Sequence, residues 1–182
     1  LAGFFANLGD LWKSEVYELA RCLNREVYGS EVIPQGVLDV TPSAELSNDQ
    51  DVEAGRGDPL VYPYHDRLFR SWVESWNRTT PEEILEWYAA GELADRLECE
   101  IDIRALFPSP NAFIADLEHW WSAYKGMGLA KRIQAPPILA VKRRAFGFDL
   151  RESQTGAVYT RRYAELKRRI LKDSGTADGH QS

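Results

Sequence analysis

Residues 80–98 read TPEEILEWYAAGELADRLE, and the opening four residues decide how the region folds. Thr80 is a helix cap. Pro81 suits the first helical position, where no amide hydrogen is needed, and Glu83 stands three residues after the cap, able to reach back to its amide. Such a cap contributes about 1 kcal/mol. Ile84, Leu85, Tyr88 and Leu93 then recur at helical spacing, which predicts a helix to about Glu98, across Gly91. Downstream, Ser109-Pro110 repeats the start signal. Phe113, Ile114, Leu117, Trp120, Trp121 and Tyr124 form the next apolar face, ending at Gly126.

Working outward, residues 65–77 show the same period, with Leu68, Phe69, Trp72, Val73 and Trp76 on one face. Residues 10–25 place Trp12, Val16, Leu19, Ala20 and Leu23 together, with Asp10 as N-cap and with Asn24 and Gly29 bracketing the stop. Val32 and Ile33 read as a short extended piece closed by Pro34. Residues 41–64 are rich in Pro, Gly and acidic or amide side chains and read as a long loop, of a length more often functional than inert. Gly128 and Pro136-Pro137 mark a strap without regular structure. A last helix is expected over 160–172, with Tyr163, Leu166 and Ile170 inward and its arginines outward, followed by a disordered tail at 173–182. No internal repeat is visible. Helices cover about half of the chain and strands are scarce, so the fold class is mostly α: an all-helical domain or the helical end of an α/β protein.

The 182 residues suit one domain or one lobe of a larger protein. Six Trp, eight Tyr and seven Phe exclude a disordered chain. No apolar run approaches the roughly 20 residues that span a bilayer, and no basic-then-apolar leader opens the chain, so neither a membrane nor export is expected. The start at Leu1, with Met127 the only methionine, points to a processed or excised piece. Two cysteines, Cys22 and Cys99, are too few for a disulfide framework or a cysteine-rich zinc site and read as reduced, partly buried thiols.

Charge is split. The net charge is −6, yet residues 142–172 hold ten basic and three acidic residues, against twelve basic and twenty-three acidic in 1–141. A basic end on an acidic body could meet an anion, an acidic neighbour or its own protein, or simply be solvated. Overall acidity, and the lack of aromatic residues interleaved with the arginines of the last helix, argue against nucleic acid.

No self-sufficient catalytic constellation is present. Neither G-x-G-x-x-G nor G-x-x-x-x-G-K-[ST] occurs, nor G-x-S-x-G, nor H-E-x-x-H. His65-Asp66 reads better as a capping pair at a helix start than as a polarised base, and His119 as a solvent-facing side chain.

Four segments, in order, carry a resemblance: LAGFFANLGDLWKSEVYELARCLN (1–24), VIPQGVLDVTPSAEL (32–46), GDPLVYPYHDRL (57–68) and GMGLAKRIQAPPILAVKRRAFGFDLRES (126–153). Together they resemble NAD synthetases. They are similar, respectively, to the Gly-Asp-Leu-x-Lys turn into a helix, the "PSAEL" segment that opens a mobile loop over the nucleotide, the return to helix, and the closing strap. The tryptophan-rich helices at 66–125 resemble an elaboration of the larger, glutamine-dependent bacterial members.

The resemblance implies a fold and a chemistry. The fold would be the helical C-terminal portion of an adenine nucleotide alpha hydrolase-like, Rossmann-like α/β synthetase domain of the N-type ATP pyrophosphatases, with little β structure of its own. Residues 1–172 would be that portion, with a lid loop at about 41–60, a helical region at 65–125, a strap at 126–150 and a basic helix at 160–172. The S-G-G-x-D-S loop for ATP pyrophosphate, a Tyr-Gly-Asp stretch and a glutamine amidase domain would lie upstream. The activity implied is that of a carbon–nitrogen ligase with glutamine as amido donor. ATP adenylates deamido-NAD+, and ammonia displaces AMP to give NAD+. ATP and Mg2+ are implied, the metal ligands lying outside this chain, as are a cytoplasmic setting and a homo-oligomer. The fragment alone is expected to be inactive.

Carried over residue by residue, Lys13 and Ser43 match ATP-binding positions, and Lys131 and Arg132 match the strap cations that hold deamido-NAD+. A Lys near a helix start opposes the dipole, which fits a reach toward a bound anion. Ala130 stands where many members have His, and Glu45 is a salt-bridge partner rather than a metal ligand. No catalytic residue and no metal ligand is assigned. The competing reading is a helical interaction module docking through its basic C-terminal segment on an acidic partner.

Overall fold

A computed structural model describes residues 7–40, 59–126 and 156–177, the side chains to residue 174. Among these residues the structure is helical, with no strand. The helices are α1 (Lys13–Cys22), α2 (Gln35–Asp39), α3 (Tyr62–Val73), α4 (Pro81–Ala90), α5 (Leu93–Arg96), α6 (Ile103–Leu106), α7 (Pro110–Lys125) and α8 (Arg161–Ala177). The lid loop, apart from its last two residues, and the strap beyond Gly126 lie outside the described residues.

The chain divides into two compact units, Leu11–Asp66 and a second made of Leu1–Asp10 with Arg67–Ser182. In the smaller unit, α1 starts two residues later than the expected cap at Asp10: the N-cap is Trp12, whose amide donates to Glu15 Oε2 at 2.9 Å. The reason is local, because Glu15 sits where the third helical residue can reach back. After Cys22 the chain widens into a π-helical turn, Leu23–Val27, and Gly29 at φ 59° ends it in the left-handed region expected of glycine. Asn24 then clasps the extended piece: its carboxamide takes the amides of Val32 and Ile33 at 3.1 and 2.9 Å and donates to the Ile33 carbonyl at 2.7 Å. Pro34 closes that piece and at once opens α2, a short helix the sequence reading missed.

In the larger unit α4 begins as expected, with Thr80 Oγ1 taking the Glu83 amide and Glu83 Oε2 the Thr80 amide at 2.8 Å. It does not cross Gly91. That residue adopts φ 75°, its amide bonds Tyr88 O, and the Glu92 amide bonds Trp87 O at 2.8 Å. This paired closure terminates a helix, and α5 is a separate turn. Helix α3 also ends early, at Val73, because the Ser71 carbonyl takes the Thr79 amide at 3.1 Å where a continuing helix would offer it to residue 75. Trp76, expected on the buried face, is consequently 84% exposed. Helix α7 matches its expected bounds, with Ser109 Oγ taking the Ala112 amide at 3.2 Å. Helix α8 runs five residues past its expected end at 172, to Ala177, with Ser174 Oγ donating to the Leu171 carbonyl at 2.8 Å.

The core of this unit joins Leu68 and Trp72 of α3, Ile84 and Leu85 of α4, Phe113 and Leu117 of α7, and Tyr163, Leu166 and Ile170 of α8, all buried. Aromatic rings account for much of it. Trp72 meets Trp121 edge to face at 5.1 Å, and Tyr88 stacks on Phe113 at 3.9 Å. Such pairs add about 1 kcal/mol each beyond the area they bury.

Candidate functional site

Lys13 is the first residue of α1, half-buried, with its ammonium 5.1 Å from the centre of the Tyr17 ring, one turn on. Two carboxylates stand at this helix start, and backbone amides engage both. Glu15 takes the Trp12 amide, and the buried Asp66 takes the Ser14 amide at 2.9 Å. They complement the positive end of the helix dipole and satisfy amides that a helix start leaves open. Among the described residues no ion pair involves Lys13, so its positive charge remains available to an anion.

Asp66 and its neighbour His65 settle the reading of that pair. His65 Nδ1 accepts the Val61 amide at 2.8 Å, capping α3 from within its own first turns, while Asp66 caps α1 instead. Both side chains are buried. They are capping groups, as the sequence suggested, but they serve two different helices, and they lie inside α3 because it begins at Tyr62. Pro63 tolerates that early start, since its missing amide hydrogen falls in the first turn. Of the other matched positions, Ser43, Lys131 and Arg132 lie outside the described residues, as do Glu45 and Ala130. The structure therefore sets Lys13 over the Tyr17 ring and holds the amide of the next residue, Ser14, on Asp66. Asp66 escaped the sequence reading as a partner because 52 residues separate it from Ser14.

The basic C-terminal helix has its own partners. Arg162 pairs with Glu86 and Thr160 Oγ1 donates to Glu82 Oε1 at 3.1 Å, both carboxylates lying on α4. On α7, Glu118 Oε1 receives Lys167 Nζ at 2.6 Å and the Tyr163 hydroxyl at 3.0 Å. Burial first, and then the Glu118 charge, push the Tyr163 hydroxyl far above the usual phenol range. The basic helix thus docks on acidic groups of its own unit.

A cleft of about 150 Å³ in the same unit is lined by Tyr88, Leu93, Ile101, Asp102, Ile103 and Arg104 among others. Asp102 already caps α6 through the Arg104 amide at 2.8 Å. Among the described residues no group of three or more His, Cys, Asp or Glu could hold a metal ion. Cys22 is exposed and Cys99 buried, and neither is in a disulfide. His119 is exposed, as expected. No helix among the described residues is long and apolar enough to cross a membrane.

Among the described residues these features define a helical protein that sets a lysine, in no ion pair there, at a carboxylate-capped helix start. Residues 1–95 match the family model described as NAD synthase. The chain is also similar to a glutamine-dependent NAD(+) synthetase of Xanthomonas campestris pv. campestris (strain 8004), at 32% identity over 152 residues, 83% of this chain and 22% of that protein. No solved structure matches it. The chain belongs to the NAD synthase family, and it spans about a fifth of the length of the curated relative it matches.

Proposed function

We propose that this chain is the C-terminal part of a glutamine-dependent NAD+ synthetase built on a Rossmann-like α/β domain, and that it supplies substrate-binding cations and a lid. In that enzyme the carboxylate of deamido-NAD+ attacks the α-phosphorus of ATP, and pyrophosphate leaves. Ammonia released from glutamine then attacks the acyl carbon of the mixed anhydride, and AMP leaves with the formation of the amide. Negative charge grows on the departing pyrophosphate, and a fixed cation in a water-poor site lowers the cost of that growth. Lys13 would meet an ATP phosphate and Ser43 would add a hydroxyl donor to the nucleotide. Lys131 and Arg132 would hold deamido-NAD+. Mg2+ would bring further phosphate neutralisation on residues outside this chain. The parent would act in the cytoplasm as a homo-oligomer, and this stretch alone would be inactive.

The observation that carries the reading is the state of Lys13. It stands against the dipole at the start of α1, over the Tyr17 ring, and no ion pair among the described residues involves it. The test is ammonia-dependent NAD+ formation by the parent polypeptide carrying Lys13→Ala. Undiminished turnover would remove Lys13 from the mechanism, and synthesis by residues 1–182 alone would refute the assignment of missing parts. The rival reading, a module docking through its basic segment, loses ground to the ion pairs that Arg162 and Lys167 make within the chain.

A further inference from the structure

Lys13 opens α1, and the backbone amides before and after it are held by carboxylates of different origin. Glu15 takes the Trp12 amide at 2.9 Å from inside the same helix, so that bond travels with α1 wherever the helix goes. Asp66 takes the Ser14 amide at 2.9 Å from α3, so that bond refers the helix start to a second element. Asp66 is buried, and the first turn of its own helix is braced by His65 Nδ1, which accepts the Val61 amide at 2.8 Å. Capping alone is served by a local side chain, as Thr80 and Ser109 serve α4 and α7. At α1 the chain brings a carboxylate from 52 residues away to the amide that follows Lys13. A bond from an amide to a carboxylate is stronger than one to a neutral oxygen, so the tie is firm.

We infer that Asp66 is a positioning residue for Lys13: through the Ser14 amide it fixes where the ammonium meets an ATP phosphate, without touching the nucleotide itself. The inference rests on the proposed role of Lys13 and extends it to a residue that no local motif connects with it. A charge-stabilising group acts only when closely placed, and a misplacement of about 1 Å lowers a rate by about a hundredfold. Such placement needs support from a rigid element beyond the one that carries the group. Without the Asp66 carboxylate α1 keeps its Glu15 bond, so the helix persists while its start loses the reference to α3. The loss then falls on the ATP step and not on deamido-NAD+, which Lys131 and Arg132 are proposed to hold.

Steady-state kinetics of the full-length parent, with ammonia as nitrogen donor, test it through a double-mutant cycle. Asp66→Ala should lower kcat/KM for ATP about tenfold and leave KM for deamido-NAD+ unchanged. In a Lys13→Ala background the same substitution should cost less than about twofold, because the group it positions is gone. Asp66→Asn, which keeps an acceptor oxygen, should recover most of the loss. Asp66→Glu keeps charge and acceptor but adds a methylene, so it should fold and still show the coupled loss; it carries the cycle if Asp66→Ala does not fold. A full Asp66 loss in both backgrounds, or wild-type kinetics in the folded Ala and Glu variants, overturns the positioning role while Lys13 keeps its own. Undiminished turnover with Lys13→Ala removes Lys13 from the mechanism, and the inference then falls with the proposed function.

Discussion

The Ser14 amide donates to the Asp66 carboxylate at 2.9 Å, tying the start of α1 to α3 across 52 residues of chain. One buried carboxylate thereby closes an open helix end and fixes the backbone beside Lys13. A charge-assisted bond of this kind is worth more than a neutral one, and its loss leaves an amide without its acceptor.

Replacing Asp66 by Ala should cost about 1–3 kcal/mol, combining a lost cap with a lost bond to a charged group. Asp66→Asn, which keeps an acceptor oxygen, should cost less. Urea midpoints of the two variants at unchanged m-value check the order, and an Asp66→Ala protein as stable as wild type would contradict it.

Lys13→Ala should lower kcat/KM for ATP in the parent enzyme by about a hundredfold, the scale of removing one preorganised group from a developing negative charge. Folding should be little affected, because Lys13 makes no ion pair among the described residues. Lys13→Arg should recover part of the loss. Steady-state kinetics with ammonia as nitrogen donor separate these outcomes.

Gly91→Ala should destabilise the larger unit by about 1–2 kcal/mol, since φ 75° is costly for any residue with a Cβ. No atom lies within 4 Å of an added Cβ there, so backbone strain alone sets the effect. A thermal melt checks this, and an unchanged midpoint would mean that the turn relaxes.

Stability should fall as pH rises above about 10, the ordinary phenol pKa. Burial raises the Tyr88, Tyr159 and Tyr163 hydroxyls in the folded chain, so above that pH the unfolded chain releases protons that the folded chain keeps. Lys125, lowered by burial, acts in the opposite direction. Glu118→Gln removes a charge that holds Tyr163 up, so this phenol should titrate at lower pH in the variant. Absorbance at the phenolate band follows it, and an unmoved titration would dissociate Glu118 from the shift.

Some of this was legible in the residues themselves. Thr80-Pro81-Glu82-Glu83 and Ser109-Pro110 specify helix starts through bonds that span three residues, so α4 and α7 begin where their side chains dictate. The inward positions of α8, Tyr163, Leu166 and Ile170, follow from spacing alone. Stops were harder to read. Gly91 fits within a helix or just past its end, and the choice was made by which carbonyls its neighbours' amides found. Family membership was readable from four short segments, whereas of the four matched site residues only Lys13 falls where the structure describes it.

Sequence by itself determined the predominance of helix, the starts of α4, α7 and α8, and the charge split, because each depends on neighbours within a turn or on simple composition. Tertiary structure decided which helix Asp66 caps and that the basic helix rests on Glu82, Glu86 and Glu118. Those outcomes join residues tens of positions apart, and no local pattern encodes them.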